Sequence, residues 1–361
     1  MHKQLLFLAA LISPYEDGCP DTARVAAINW HYLAFLSGCY LVTPSLAFRV
    51  AQCNLMEQIP QEVADELREI AANASRRNER LRAQLAEIAA AFEAATLRHA
   101  VLKGGTYLVL PVYPATSLRV MRDIDLLVAE QDLDHACRVL EGMAYHQVEN
   151  ETPDQGPAAH RHLNPFVADR HVAVVELHRA ALPGHLGVRT PSSELLRKRS
   201  CRREDGQTYY TLSTTDRILI LIMHAAIVDC GHAHGIIALR ALEEYAYTVK
   251  KEGDAIRWPL LVEKFSDAGR LHVLSSFVWL ANHLFGVPTP RPLLRGSALR
   301  SELHYLRCLL QFESCIADRW LRYCSRYSGS SSLDHLGTRR GLRARGKQRL
   351  HAVRRVLRRS C

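Results

Sequence analysis

VLKGGTYLVLPVYPATSLRVMRDIDLLV, residues 101–128, is the stretch on which the fold turns. It reads as strand, glycine turn, helix and second strand. In the second strand Asp123 and Asp125 stand two apart in an apolar run, so the alternation of a strand puts both carboxylates on one side. Two acids in such a run are costly to bury alone and must face solvent, a cation or a metal. Their spacing suits magnesium or manganese, hard ions that take a few oxygen ligands and share the rest of their shell with substrate phosphates. Upstream, Lys103, Gly104 and Gly105 close the first strand ahead of a helix predicted over 106–112. Glycines there let backbone N–H groups approach a phosphate, and a helix N-terminus favours negative charge. The competing reading is a plain turn beside an exposed strand edge neutralised by Arg119 and Arg122.

Working outward, Asp132 offers an N-cap for a helix carrying Leu133, Ala136, Val139, Leu140 and Met143. Residues 150–158, NETPDQGPA, have the composition of a loop. A third strand over 171–178, HVAVVELH, sets Val174, Glu176 and His178 on one face. Before this unit the chain has helical periodicity with breaks at Pro60 and Asn73. Its clearest element spans 78–97, where Leu81, Leu85, Ile88 and Phe92 share a face. After Pro183 it is helical again. Thr214 or Thr215 caps an apolar helix holding His224 as a core residue, and further helices are predicted over 239–250, 258–265 and 271–285. Glu243 and Glu244, with Arg240, read as a solvated face that could also line one side of a cleft. The expected fold class is α+β: a small mixed-sheet core at 98–182 embedded between helical regions at 1–97 and 183–330, with a basic tail at 331–361.

The charge of +9 is concentrated in that tail, which carries ten Lys/Arg and one acid. The first 330 residues hold 36 basic and 36 acidic side chains, so the body is neutral and nucleic acid is a weaker partner than the total suggests. The tail could hold an anionic partner, although it lacks interleaved aromatics for base stacking. Ten cysteines without a C-x-x-C spacing argue against a disulfide framework or thiolate zinc site and favour reduced thiols in a cytoplasmic protein. The apolar start, MHKQLLFLAALIS, is read as a first helix rather than a signal, because no small-residue cleavage pattern follows. No apolar run is long enough to span a bilayer. The pairs His160/His162 and His232/His234 have no further ligand at a recognised zinc spacing.

L-K-G-G, then R-x-M-x-D-I-D-L-L-V, then a helix and V-E-L-H together resemble the uncharacterised nucleotidyltransferase family of the DNA-polymerase-β-like superfamily. The likeness spans roughly residues 5–290. It implies that Gly104 and Gly105 cradle phosphate, that Asp123 and Asp125 bind metal, and that Glu176 is the third carboxylate, acting as base or through a metal. Lys103 and Arg119 then counter triphosphate charge. Arg122 departs from the small residue expected before D-x-D; it either adds a phosphate contact or crowds the site. The expected reaction moves an NMP, with ATP as donor by analogy, onto a hydroxyl of a small molecule, a peptide or protein, or an RNA end, and releases pyrophosphate. The alternatives are an inactive nucleotide-binding or partner-binding module of the same fold and a tail-driven nucleic-acid binder.

Overall fold

A computed structural model describes residues 1–148, 163–293 and 298–327. Predicted features at 150–158, His160, His162 and the basic tail lie outside the described residues. The chain opens with α1 (His2–Ile12), α2 (Thr22–Ala26), α3 (Trp30–Cys39), α4 (Thr43–Gln52) and the long α5 (Gln61–Ala94). The α/β part follows as β1 (His99–Val101), β2 (Asp123–Val128), α6 (Leu133–Gly142), β3 (His146–Gln147), β4 (Phe166–Val167) and β5 (Val174–His178). After α7 (Ser192–Arg197) come β6 (Ser200–Glu204) and β7 (Gln207–Thr211). The rest is helical: α8 (Thr214–Met223), α9 (Gly231–His234), α10 (Leu239–Glu252), α11 (Trp258–Asp267), α12 (Leu271–Phe285) and α13 (Ala298–Tyr327). Among the described residues no helix is long and apolar enough to cross a membrane.

The strands form one mixed sheet in the order β3-β4-β5-β2-β1-β7-β6. β2 runs parallel to β5 and antiparallel to β1, and β7 joins the far edge of β1 in parallel. The β6–β7 hairpin therefore extends the sheet into a stretch that reads as helical in sequence. Its β6 alternates half-buried and exposed polar residues, which leaves little apolar signal.

Two large apolar cores result, beside a small cluster of Tyr107, Val112, Tyr113, Leu118 and Tyr247. One packs α6 and the second half of α5 (Leu81, Leu85, Ile88, Phe92) on the sheet. The other gathers Leu5 and Leu8 of α1, Leu33 and Leu36 of α3, Ile218 of α8 and Phe285 of α12, so the helices before and after the sheet share a single core. The expected first helix is thus a packed element. α5 serves both cores, with Val63, Ala64 and Leu67 in the second, and it starts at Pro60 but continues unbroken through Asn73. Asparagine costs a helix only a few tenths of a kcal/mol, roughly 0.7 at most, which burial on both sides overrides.

Two local expectations are corrected. Ser213, not Thr214 or Thr215, caps α8, its hydroxyl accepting from the Asp216 N–H. Cys19 and Cys53 form a disulfide that ties the α1–α2 connection to the end of α4, against the expectation of reduced thiols throughout. A pair 34 residues apart leaves no local spacing to read.

Candidate active site

The glycine turn is built from close packing. Leu102 donates its N–H to the Asp125 carbonyl at 2.9 Å, carrying the β1–β2 pairing one step further. The chain then turns sharply at Lys103, whose φ of 47° is rare for a side-chain-bearing residue. Residues Lys103–Leu108 form a 3₁₀ turn in place of the predicted α-helix over 106–112, so the helix-dipole part of the phosphate argument falls away. A Cβ on Gly104 would sit 2.9 Å from Met121 Cγ, and one on Gly105 2.9 Å from Val101 Cγ1. Packing alone therefore accounts for both glycines.

The carboxylates come together through strand register. Asp125 on β2 stands opposite Glu176 on β5, and His178 lies two residues further along the same face. Ligand atoms of Asp125, Glu176 and His178 lie within 4.8 Å of one another, the only such trio of acid, histidine or cysteine groups among the described residues. Asp125 is 1% exposed. Its Oδ1 accepts from Lys103 Nζ at 2.5 Å and contacts His178 Nε2 at 2.7 Å. The His178 Nε2 also lies 3.3 Å from Glu176 Oε2. Burial alone would raise the Asp125 pKa, but the His178 hydrogen bond and the Lys103 charge reverse it and hold the carboxyl well below its ordinary range. Asp123 is half-buried and stands outside the trio. Burial, then repulsion from Asp125, raises its pKa.

Carboxylate oxygens from Asp125 and Glu176 are hard donors that fit magnesium or manganese; an imidazole as third donor suits manganese better. Asp123 adds negative charge at the edge of the same face.

Three side chains of α5 fix the segments that lead into β2 and β5. Arg77 donates to the carbonyls of Met121, Arg122 and Val172 at 3.0–3.3 Å. Buried Asn78 donates to the carbonyls of Thr116 and Arg119 at 2.8 and 2.9 Å. Gln84 pairs with the Ala173 backbone through both ends of its amide. In sequence these are simply the polar face of an amphipathic helix.

α10 packs against the segment before β2, and here the sequence reading is corrected. Glu243 and Glu244 are buried, at 1% and 3% exposure, and are not a solvated face. Glu244 Oε2 accepts from Arg119 Nε at 2.6 Å, while Arg119 Nη1 donates to the Val120 carbonyl at 2.6 Å. Burial opposes the Arg119 charge, but Glu244 outweighs it and keeps its pKa above the ordinary value. Tyr107 of the 3₁₀ turn lies 3.4 Å from the Thr248 hydroxyl, a second tie to α10. Burial pushes the Glu243 carboxyl up to about 8, against the lowering effect of Ser45 and Arg119, and its Oε1 has no hydrogen-bond partner.

Arg240 is the functional candidate that sequence reasoning passed over. It is half-buried, and its guanidinium makes no hydrogen bond or ion pair among the described residues. Burial, then the neighbouring Arg119 and Arg122 charges, lowers its pKa. Glu244 opposes these effects without bonding to the guanidinium, so the Arg240 donors stay open to an anion. Arg122, the residue the sequence left undecided, is exposed and donates no side-chain bond among the described residues.

Residues 26–286 match the sequence model of a family described as uncharacterised nucleotidyltransferases. No curated protein sequence matches the chain.

Proposed function

The chain belongs to the uncharacterised nucleotidyltransferase family, and from that premise we propose that it transfers an NMP from an NTP, ATP by analogy, to a hydroxyl acceptor with release of pyrophosphate. The observation that carries this reading is the in-register meeting of Asp125 and Glu176 on adjacent parallel strands, with His178 beside them. Asp125 and Glu176, with Asp123 at their edge, are the residues that would hold a magnesium or manganese ion. Such an ion, when bound, neutralises charge on the phosphate oxygens.

The chain's own groups then have distinct tasks. Glu176, whose side chain keeps 23% exposure, accepts the proton of the acceptor hydroxyl as its oxygen bonds to the α-phosphorus and the bond to pyrophosphate breaks. His178 holds Asp125 in orientation through their 2.7 Å contact. Lys103 and Arg240, with the backbone of Gly104 and Gly105, counter the triphosphate charge. Arg119 already spends its charge on Glu244, so its role is to hold the loop before β2 against α10. The helical regions form the acceptor side of the cleft.

The test is incubation with magnesium, candidate acceptors and ATP labelled at either the α- or the γ-phosphate. Transfer of α-label, abolished in Asp123→Asn with melting temperature unchanged, is the expected result. Transfer of γ-label alone identifies a kinase and overturns the proposal. A second reading rests on Lys103, which together with His178 caps one oxygen of Asp125. That arrangement also fits a module that binds nucleotide without turning it over, and magnesium-dependent ATP binding with no transfer across the acceptor panel would select it.

A further inference from the structure

A second polar site lies away from the strand carboxylates. His232 of α9, His272 and Ser276 of α12, and Arg300, His304 and Arg307 of α13 line a cavity of about 270 Å³. The rings of His232 and His304 stack at 4.0 Å between centroids, and His272 meets His232 edge-on at 5.5 Å. The Arg307 guanidinium donates to the His232 carbonyl and, at 3.1 Å, to His304 Nδ1. Arg300 is exposed and makes no hydrogen bond or ion pair among the described residues.

The charge around this cavity has one sign. Burial is the largest influence on each imidazole and lowers its pKa. Every charged neighbour acts in the same direction: Arg307 on His232 and His304, and Arg300 and Arg270 on His272. Among the described residues no carboxylate offsets them. The Arg300 and Arg307 guanidiniums, the His232 and His272 rings and the Ser276 hydroxyl line it from three helices, with no acid beside them among the described residues.

We propose that this cavity binds a phosphate group, free or as the monoester of a small molecule. Donors arriving from several directions match a tetrahedral oxyanion with many acceptor sites, and guanidiniums are the side chains best suited to phosphate. The volume falls below the roughly 300–1,000 Å³ of pockets that enclose whole drug-sized ligands, so the cavity takes the phosphate and leaves the rest of an ester outside. A metal is the poorer occupant. His304 Nδ1 already accepts from Arg307, His304 Nε2 faces Cys308 Sγ at 3.5 Å, and the three rings do not gather their nitrogens as the strand trio gathers its ligands. The proposal stands independently of nucleotidyl transfer, since it shares no residue with that site.

The experiment is calorimetric titration of the full chain, without divalent metal, with inorganic phosphate and then with glycerol 3-phosphate. Saturable binding is expected, weakened about tenfold in Arg300→Gln and in His272→Gln and unaltered in Arg203→Gln, an exposed arginine on β6. Arg300 is exposed, so its variant folds normally, as the unchanged melting temperature will show. Tighter binding of the ester identifies an esterified ligand, and equal binding a free phosphate. Absence of saturable binding, or full affinity in both cavity variants, overturns the proposal. So does one equivalent of zinc bound without phosphate and lost in His272→Gln.

Discussion

Replacing Glu244 by glutamine tests the clamp that holds the loop before β2 against α10. The Arg119 and Glu244 side chains are only 12% and 4% exposed and meet at 2.6 Å. Removing one partner of a buried ion pair typically costs about 3–5 kcal/mol, because the remaining charge is left uncompensated. The glutamine carbonyl still accepts from Nε, and Nη1 keeps its bond to the Val120 carbonyl, so the lower end, about 3 kcal/mol, is expected. Urea unfolding followed by circular dichroism measures it as a lower midpoint at unchanged slope. The double variant Arg119→Met/Glu244→Leu replaces both charges with apolar groups and should return to within about 1 kcal/mol of the parent. That stable double variant separates the two roles open to Arg119. If Arg119 only clamps the loop, ATP affinity changes less than about threefold; a loss of tenfold or more means that it touches phosphate. The clamp itself is refuted if Glu244→Gln costs under about 0.5 kcal/mol, or if the two single costs simply add in the double variant.

Arg240→Gln should raise the KM for the nucleotide about tenfold by removing one cation–phosphate contact, with stability unchanged or slightly higher because the repulsion from Arg119 and Arg122 is relieved; initial rates and a thermal melt check both. Glu243 gives a pH signature. Its carboxyl is raised to about 8 in the folded protein against an ordinary 4.5, so between those values the unfolded chain has released a proton that the folded chain retains. Stability therefore falls as pH rises from 4.5 to 8, by up to about 5 kcal/mol, and is flat beyond. Glu243→Gln should abolish that slope and unfold at higher urea than the parent at pH 8. An identical pH profile in parent and variant would show that Glu243 titrates normally.

The strands that carry the candidate site were legible because their apolar alternation is local. Asp123 and Asp125 on β2, and Glu176 and His178 on β5, each sit in a run short enough for its period to be read directly. The parallel register that sets Asp125 against Glu176 follows from a sheet no local window contains. The glycine turn was found for a reason the structure does not need, since Met121 and Val101 already exclude a side chain at Gly104 and Gly105.

What escaped reading is one kind of residue, the polar side chain buried against a partner far along the chain. Asn78 and Gln84 satisfy backbone 38 to 89 residues away, and Glu244 answers Arg119 across 125. A helical wheel assigns each of these to the wet face, because it weighs hydropathy and cannot see the distant group that offsets desolvation. The same blindness hid Arg240, whose guanidinium makes no hydrogen bond or ion pair among the described residues. Of the cations around this cleft, Arg119 stands out in sequence beside the D-x-D strand, yet Glu244 has already neutralised it. Proximity in sequence therefore selects the arginine least able to respond to a nucleotide. An anion gains most from a guanidinium whose donors are still open, and on α10 that is Arg240, which feels the Glu244 charge without bonding to it.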